Sequence, residues 1–440
     1  MHPNEARVEA SRCLYCFDAP CVQACPTHID IPLFIRKIAT DNLTGSAVTI
    51  LESNLLAGTC ARVCPVEELC EGACVLGEDH KPIEIGRLQR HAMDHLFLKE
   101  LQPLEPEPAN GKRVAVVGSG PSGLSCAGQL ALEGFEVTVY EKADLPGGLS
   151  TYGIVVLREP IRVSLEEVAY IESLGVEVRT GVEVGKDISP AELLEGYDAV
   201  FLSVGLGRVP QLGIEGEDAA GVTEALGFIA ETKLAEKDGL ENLRGIELGS
   251  HIAVIGAGNT AIDAATIARR LGAERVTIVY RRTDREMSAY DHEYEFAKSE
   301  GVEFRFLSQP VRVLTEGGTV SGLECVRTEL TDGGLREIPG SNFVLDCDQV
   351  IKAIGQQKLT GVLDEFGIEH ERGYALVDGS MRTSNSKVFA GGDCVRLQGD
   401  ATTVAAVQDG KLAARYISGW LLEQQPVQGE RRMDGEKWLT

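Results

Sequence analysis

The chain has 440 residues, 43% of them apolar and 25% charged, with a formal net charge of −25. That length exceeds one ordinary core and calls for roughly two to four domains. The acidic balance argues against nucleic acid or an anionic membrane as partner, and no apolar run approaches the length that spans a bilayer.

The N-terminal segment MHPNEARVEASRC has no apolar h-region, so no secretory signal is expected. Twelve cysteines without an export signal imply a reducing compartment, and a cytoplasmic location is expected. Eight of those cysteines fall within the first 74 residues, in two blocks: Cys13-x2-Cys16-x4-Cys21-x3-Cys25-Pro26, and Cys60-x3-Cys64-Pro65 followed by Cys70-x3-Cys74. A disulfide framework fits a long, unexported chain poorly. Zinc also takes four thiolates, but its knuckles usually present paired C-x2-C units, and only Cys13/Cys16 has that spacing. Cys-Pro is the ending of the bacterial ferredoxin run, so iron–sulfur clusters are expected. A zinc-bearing, redox-inert nucleotide-binding scaffold is the alternative from another class. Between and after the cysteine blocks, IDIPLFIRKIATDNLTGSAVTILESN and IEIGRLQRHAMDHLFLKEL carry apolar residues at helical spacing. Residues 1–105 thus read as an all-helical domain wrapped around its metal centres, which would help to fold it.

LQPLEPEPANGK (101–112) is a linker with three prolines. Beyond it strands and helices alternate, the pattern of an α/β protein with parallel sheet. RVAVVGSGPSGLSCAGQLALEGFEVTVYEK (113–142) reads strand, turn, helix, strand, and HIAVIGAGNTAIDAATIARRLGAERVTIVYRR (251–282) repeats it. In the first unit Gly118, Gly120 and Gly123 supply the tight turn, the close backbone approach and the tight helix contact that a pyrophosphate site needs. Glu141 follows 23 residues after Gly118, where a carboxylate accepts ribose hydroxyls. With Gly147-Gly148-Leu149 behind it, the unit suggests FAD.

In the second unit Gly256, Gly258 and Ala261 satisfy the same pattern, but its second strand runs into Tyr280-Arg281-Arg282. Two guanidinium groups suit a 2′-phosphate, which favours NADPH and leaves NADH as the alternative. VFAGGDCV puts Asp393 at a strand end, ahead of a final helix starting at Thr402-Thr403, whose N-terminal dipole would favour a reduced, anionic flavin. Cys126 reads as core, and Cys325 and Cys347 as strand positions. None of these or Cys394 has a C-x-x-C partner, so no dithiol chemistry is expected. The last dozen residues are polar and read as a tail.

These features together resemble the flavoprotein (PreT-type) subunit of bacterial dihydropyrimidine dehydrogenase and, more distantly, the glutamate synthase small subunit. SRCLYCFDAPCVQACP, GTCARVCPVEELCEGAC, IEIGRLQR, EKADLPGGLST and TTVAAVQDGKLAA carry the resemblance, which runs over nearly the whole chain. It implies two [4Fe–4S] clusters: Cys13, Cys16, Cys21 and Cys74 on one, and Cys25, Cys64, Cys70 and Gln89 on the other. Cys60, which counting alone would make the eighth ligand, is then left out. The glutamate synthase type is similar here with Glu in place of Gln89. The resemblance further implies a flavin site at Gly118, Ser119, Gly120, Pro121, Ser122, Gly123, Glu141, Lys142, Gly147, Gly148, Leu149, Arg158, Val184, Asp393, Thr402 and Thr403. It places NADPH at Gly256, Ala257, Gly258, Asn259, Thr260, Arg281, Arg282, Ala353, Ile354 and Gly355. A basic residue of the family is replaced by Ser288, for which Arg285 could substitute, and GIVVLREP departs from the family loop. The expected organisation is the helical domain at 1–105, a discontinuous FAD domain at 106–215 and 353–440, and an inserted NAD(P)H domain at 216–352. The function implied is electron input: FAD and two clusters would relay electrons from NAD(P)H to an FMN- and iron–sulfur-bearing partner that reduces uracil or thymine, in a hetero-oligomer. A glutamate synthase small subunit or another NADPH:ferredoxin-type module is the alternative.

Overall fold

The computed structural model describes residues 1–397 and 401–422; the polar tail expected for the last dozen residues lies outside them. The chain forms two compact units. One comprises Met1–Ser150, Arg162–Leu206 and the chain from Lys358 onward, and the other Thr151–Ile161 with Gly207–Gln357.

In the first unit, helices Pro3–Ala10, Ile31–Ala39, Leu43–Leu51, Ala57–Val63 and Ile85–Leu98 form the N-terminal layer. Asp30 caps the second by accepting from the Leu33 N–H, and its buried residues Ile31, Phe34, Ile35 and Ile38 follow a helical stripe. Helix Ile85–Leu98 buries Ile85, Leu88, Ala92, Met93 and Leu96, with Gln89 the polar exception on that face. These helices share one apolar core with a five-stranded parallel sheet. The apolar residues of this N-terminal layer are buried jointly with that sheet.

The sheet runs Val388–Ala390, Ala199–Leu202, Arg113–Val117, Glu136–Tyr140, Glu177–Arg179. Its edge strand comes from the far end of the chain and pairs Val388 with Val200. Helix Thr403–Leu421 packs on helix Pro121–Leu132. A Cβ at Gly410 would stand 2.1 Å from the Ser122 carbonyl, so only glycine permits that approach.

The second unit holds another five-stranded parallel sheet, Val222–Glu224, Gln349–Lys352, His251–Ile255, Arg275–Val279, Glu303–Arg305. It also has an antiparallel sheet of Ser308–Glu316, Thr319–Thr331, Gly334–Glu337 and Phe343–Leu345 that the sequence reading did not foresee. Gly317-Gly318, both at positive φ, turn its central hairpin, and such a pair between alternating runs was the available signal. Cys325 lies in this sheet, whereas Cys347 falls in the connection after it rather than in a strand. No helix among the described residues is long and apolar enough to cross a membrane.

Candidate functional site

Cys13, Cys16, Cys21 and Cys74 line one pocket of about 380 Å³, open mouth included, with Ile31 and Ile35 among its apolar walls. Burial pushes the Cys21 thiol up to about 12, with Cys13 and Cys74 adding to it. Burial also raises Cys13, helped by Cys16 and Cys74. A second group gathers Cys25, Cys60, Cys64 and Cys70. Cys64 is raised by its hydrogen bond with Cys60, by burial, and by the neighbouring thiols of Cys60, Cys25 and Cys70. Burial and then Cys25 raise Cys70. Thiols that suppress one another's ionisation in apolar surroundings need a cation to become thiolates, which a coordinating metal provides. Two groups of four thiols are a donor set that suits thiolate-held metal centres.

Cys60 is buried and hydrogen-bonded to Cys64. The Gln89 amide nitrogen donates to the Ala57 carbonyl at 2.9 Å. Because a carbonyl accepts only from a donor, this bond fixes the amide and leaves Oε1 as its lone-pair end. Cys60 therefore sits on the helix that leads to Cys64, and Gln89 is tied to that helix's first residue.

The first dinucleotide loop follows strand Arg113–Val117. Gly118 has φ 97°, and a Cβ there would stand 2.4 Å from the Ser203 carbonyl. A Cβ on Gly123 would reach within 2.0 Å of the Gly118 carbonyl. Gly120 begins helix Pro121–Leu132 without a side-chain cap, and no heavy atom stands within 4 Å of where its Cβ would be. Gly148, at φ 57°, comes so close that a Cβ would lie 2.7 Å from the Gly120 Cα. The buried Ser122 hydroxyl has no protein partner. Bare backbone, uncapped N–H groups and an unsatisfied hydroxyl make a cradle that fits a pyrophosphate.

Glu141 accepts from the Ser119 N–H at 3.0 Å, the Ser119 hydroxyl at 2.6 Å and the Ala143 N–H at 2.8 Å. The Ser119 hydroxyl oxygen in turn accepts from the Gly147 N–H. Glu141 thus stitches together the loops at 118–123 and 143–148 as well as presenting a carboxylate. Lys142 next to it is exposed, and Leu149 opens the short helix Leu149–Tyr152. Val184 bridges Ile188, and the nearby Val182 N–H donates to the Glu141 main-chain carbonyl, which sets this segment beside the Glu141 backbone.

Burial raises the carboxyl of Asp393 despite Arg396. Behind it Asp409, absent from the sequence reading, accepts from the Gly392 N–H at 3.0 Å and pairs with Arg396. Its signal was a carboxylate on the apolar stripe of helix Thr403–Leu421. Thr402 caps that helix by accepting from the Ala405 N–H.

The second loop repeats this geometry in the other unit. Gly256 has φ 127°, and its Cβ would stand 2.2 Å from the Ala353 carbonyl, which places Ala353, Ile354 and Gly355 beside the loop. Gly258 begins helix Asn259–Leu271 without a side-chain cap, with Thr260 in its first turn. The Asn259 Oδ1 is buried without a donor. The backbone of Arg281 and Arg282 is clamped, since the Thr328 hydroxyl donates to the Arg281 carbonyl and the Leu307 N–H to that of Arg282. Both side chains are exposed, and neither has an ion-pair partner among the described residues. Ser288 stands beside Gly258, 3.1 Å from where a Cβ would be. Arg158 belongs to this unit too: it lies 2.8 Å from Glu293 and 3.6 Å from Asp263. Those two carboxylates are among its partners.

Residues 1–101 match the family described as dihydropyrimidine dehydrogenase domain II, 4Fe-4S cluster, and residues 112–410 match the pyridine nucleotide-disulphide oxidoreductases. The chain is 37% identical to the NADPH-Fe(3+) oxidoreductase subunit beta of Geobacter sulfurreducens, over 92% of this chain and 64% of that one. It therefore spans just under two thirds of that relative. It is 35% identical to the small chain of the Escherichia coli NADPH glutamate synthase, over 95% and 92% of the two chains. To the NAD-dependent dihydropyrimidine dehydrogenase subunit PreT of Salmonella typhimurium it is also 35% identical, over 96% and 95%. In fold it is similar to T. acidophilum thioredoxin reductase, with a TM-score of 0.56 at 21% identity over 71% of this chain and 99% of that one.

Proposed function

Because the chain belongs to the pyridine nucleotide-disulphide oxidoreductase family and carries a four-iron cluster domain ahead of it, we propose that it is the electron-input subunit of a dihydropyrimidine dehydrogenase. NADPH is its substrate, and its partner bears FMN and reduces uracil or thymine. Bound here, FAD would take up a hydride and two four-iron clusters would carry its electrons singly.

The residues divide that work. The loops at 118–123 and 147–148 hold FAD by backbone, with Glu141 fixing their shape. The uncapped end of helix Asn259–Leu271 receives the pyrophosphate of the reduced coenzyme, and Arg281 and Arg282 receive its 2′-phosphate. Cys13, Cys16, Cys21 and Cys74 hold one cluster; Cys25, Cys64, Cys70 and Gln89 hold the other.

The observation that carries the pyrimidine reading is Gln89, an amide on the buried face of helix Ile85–Leu98, tied to the first residue of the helix that leads to Cys64. A neutral oxygen ligand beside thiolates would alter the cluster's charge and potential. The relative named for this pathway is NAD-dependent; the unpaired arginines support NADPH here. Purifying the chain with its co-expressed neighbour and supplying NADPH with uracil, or with glutamine and 2-oxoglutarate, tests the reading. Uracil-dependent NADPH oxidation is expected, and activity with the second pair alone would instead make this a glutamate synthase subunit.

A further inference from the structure

Helix Ala57–Val63 carries Cys60 and ends at Cys64, yet Leu56 at its N-cap position offers no side-chain acceptor. The acceptor arrives from more than 100 residues downstream. Glu167, on helix Ile161–Ser173, is 1% exposed. Its Oε1 accepts from the Gly58 N–H at 2.6 Å and the Thr59 N–H at 3.0 Å, and its Oε2 from the Thr59 hydroxyl at 2.5 Å. The fit requires glycine, since a Cβ on Gly58 would lie 2.9 Å from that Oε1.

Other bonds fix the same turn. Gln89 donates to the Ala57 carbonyl, and Arg62 donates to that of Gly58 and pairs with Asp94. One residue before the N-cap, Leu55 packs so tightly on helix Pro121–Leu132 that a Cβ on Gly128 would lie 2.6 Å from it. The first turn of the cysteine helix is therefore held to two helices of the flavin-binding sheet, while its last turn presents thiols. A carboxylate at a helix N-terminus is stabilised by the dipole, and here the donors of Gly58 and Thr59 offset its burial.

We propose that Glu167 is a positioning residue for the second iron–sulfur centre: it caps, from the flavin-binding layer, the helix that delivers Cys64, and places a fixed negative charge at that helix's far end. This rests on reading Cys25, Cys64 and Cys70 as cluster ligands. Seven residues of helix span about 10 Å, so the charge lies within electrostatic reach of the thiols. A buried anion near a redox centre disfavours adding an electron, so removing it raises that centre's potential.

The test uses the anaerobically purified full chain and its Glu167→Gln and Glu167→Ala variants. Iron, acid-labile sulfide and FAD are counted, and each reduced-cluster resonance signal is titrated against potential. Glu167→Gln keeps an acceptor for the N–H groups and removes the charge. It should retain wild-type iron while one centre's midpoint moves upward and the other's stays. Glu167→Ala removes acceptor and charge, and should lose up to half the iron and sulfide while keeping FAD. Wild-type iron and two unmoved midpoints in both variants would overturn the proposal, as would equal shifts of both centres in Glu167→Gln. A wild-type chain without labile sulfide would instead overturn the cluster reading on which this rests, and the proposal with it.

Discussion

The loops at 118–123 and 256–261 share a positive-φ first glycine pressed against the carbonyl just after a neighbouring strand, an uncapped second glycine and a helix that begins there. They differ at the end of the following strand. The first has Glu141, buried and accepting three hydrogen bonds; the second has two exposed arginines with clamped backbones. In the proposed function, one backbone plan serves two dinucleotides and the side chains one strand away choose between them: glycine geometry sets what can approach, and charge sets which molecule does.

The comparison breaks most sharply at the glycines. Gly123→Ala drives a Cβ into the Gly118 carbonyl and Gly256→Ala one into that of Ala353, each costing about 1–3 kcal/mol or more of local strain. Gly123→Ala should purify without FAD. Gly256→Ala should stay yellow but lose bleaching by NADPH, and absorbance spectra before and after anaerobic NADPH separate the two. Equal FAD loss in both variants would sink the assignment of one dinucleotide to each loop.

Replacing Arg281 and Arg282 by Ala should raise KM for NADPH by roughly 1.5–3 kcal/mol per charged contact and leave that for NADH nearly unchanged. Steady-state kinetics with both coenzymes checks this, and equal losses would argue against 2′-phosphate recognition. Glu141→Gln keeps the shape and loses the charge that gathers Ser119 and Ala143, so FAD should dissociate about tenfold faster, or about 1.4 kcal/mol. Fluorescence of released flavin after dilution reports it.

A pH-dependent effect concerns Asp263, which stands in the second helix where the first has Ser125. Burial pushes it up to about 6, against the opposing pull of Arg158. The folded unit holds a proton that the unfolded chain releases above about 4. The stability this gives is present below that pH and is lost as pH rises through about 6. Asp263→Asn should flatten the decline, on the order of 1–3 kcal/mol, in hydrogen exchange of helix Asn259–Leu271 corrected for intrinsic rates.

Much of this arrangement was legible in the sequence because it is local. Glycines at fixed offsets after an apolar strand mark both loops, and helical spacing marks Ile31–Ala39 and Ile85–Leu98. What escaped depends on contacts between distant segments. Glu167 reads as an ordinary acidic residue of an amphipathic helix until Gly58 and Thr59 are placed against it. Asp409 reads likewise until the Gly392 N–H is found beside it. Arg158 has its partners through long-range folding, since Asp263 and Glu293 are more than 100 residues away. The antiparallel sheet at 308–345 was missed because its Gly-Gly turn sits within a chain otherwise dominated by the βα alternation.

The proposed electron input depends most on the two groups of thiols holding electron-carrying clusters. Iron and acid-labile sulfide in anaerobically purified, folded chain test that directly. Equal amounts of both, about eight of each per chain, are expected; stoichiometric zinc with no sulfide would contradict the cluster assignment.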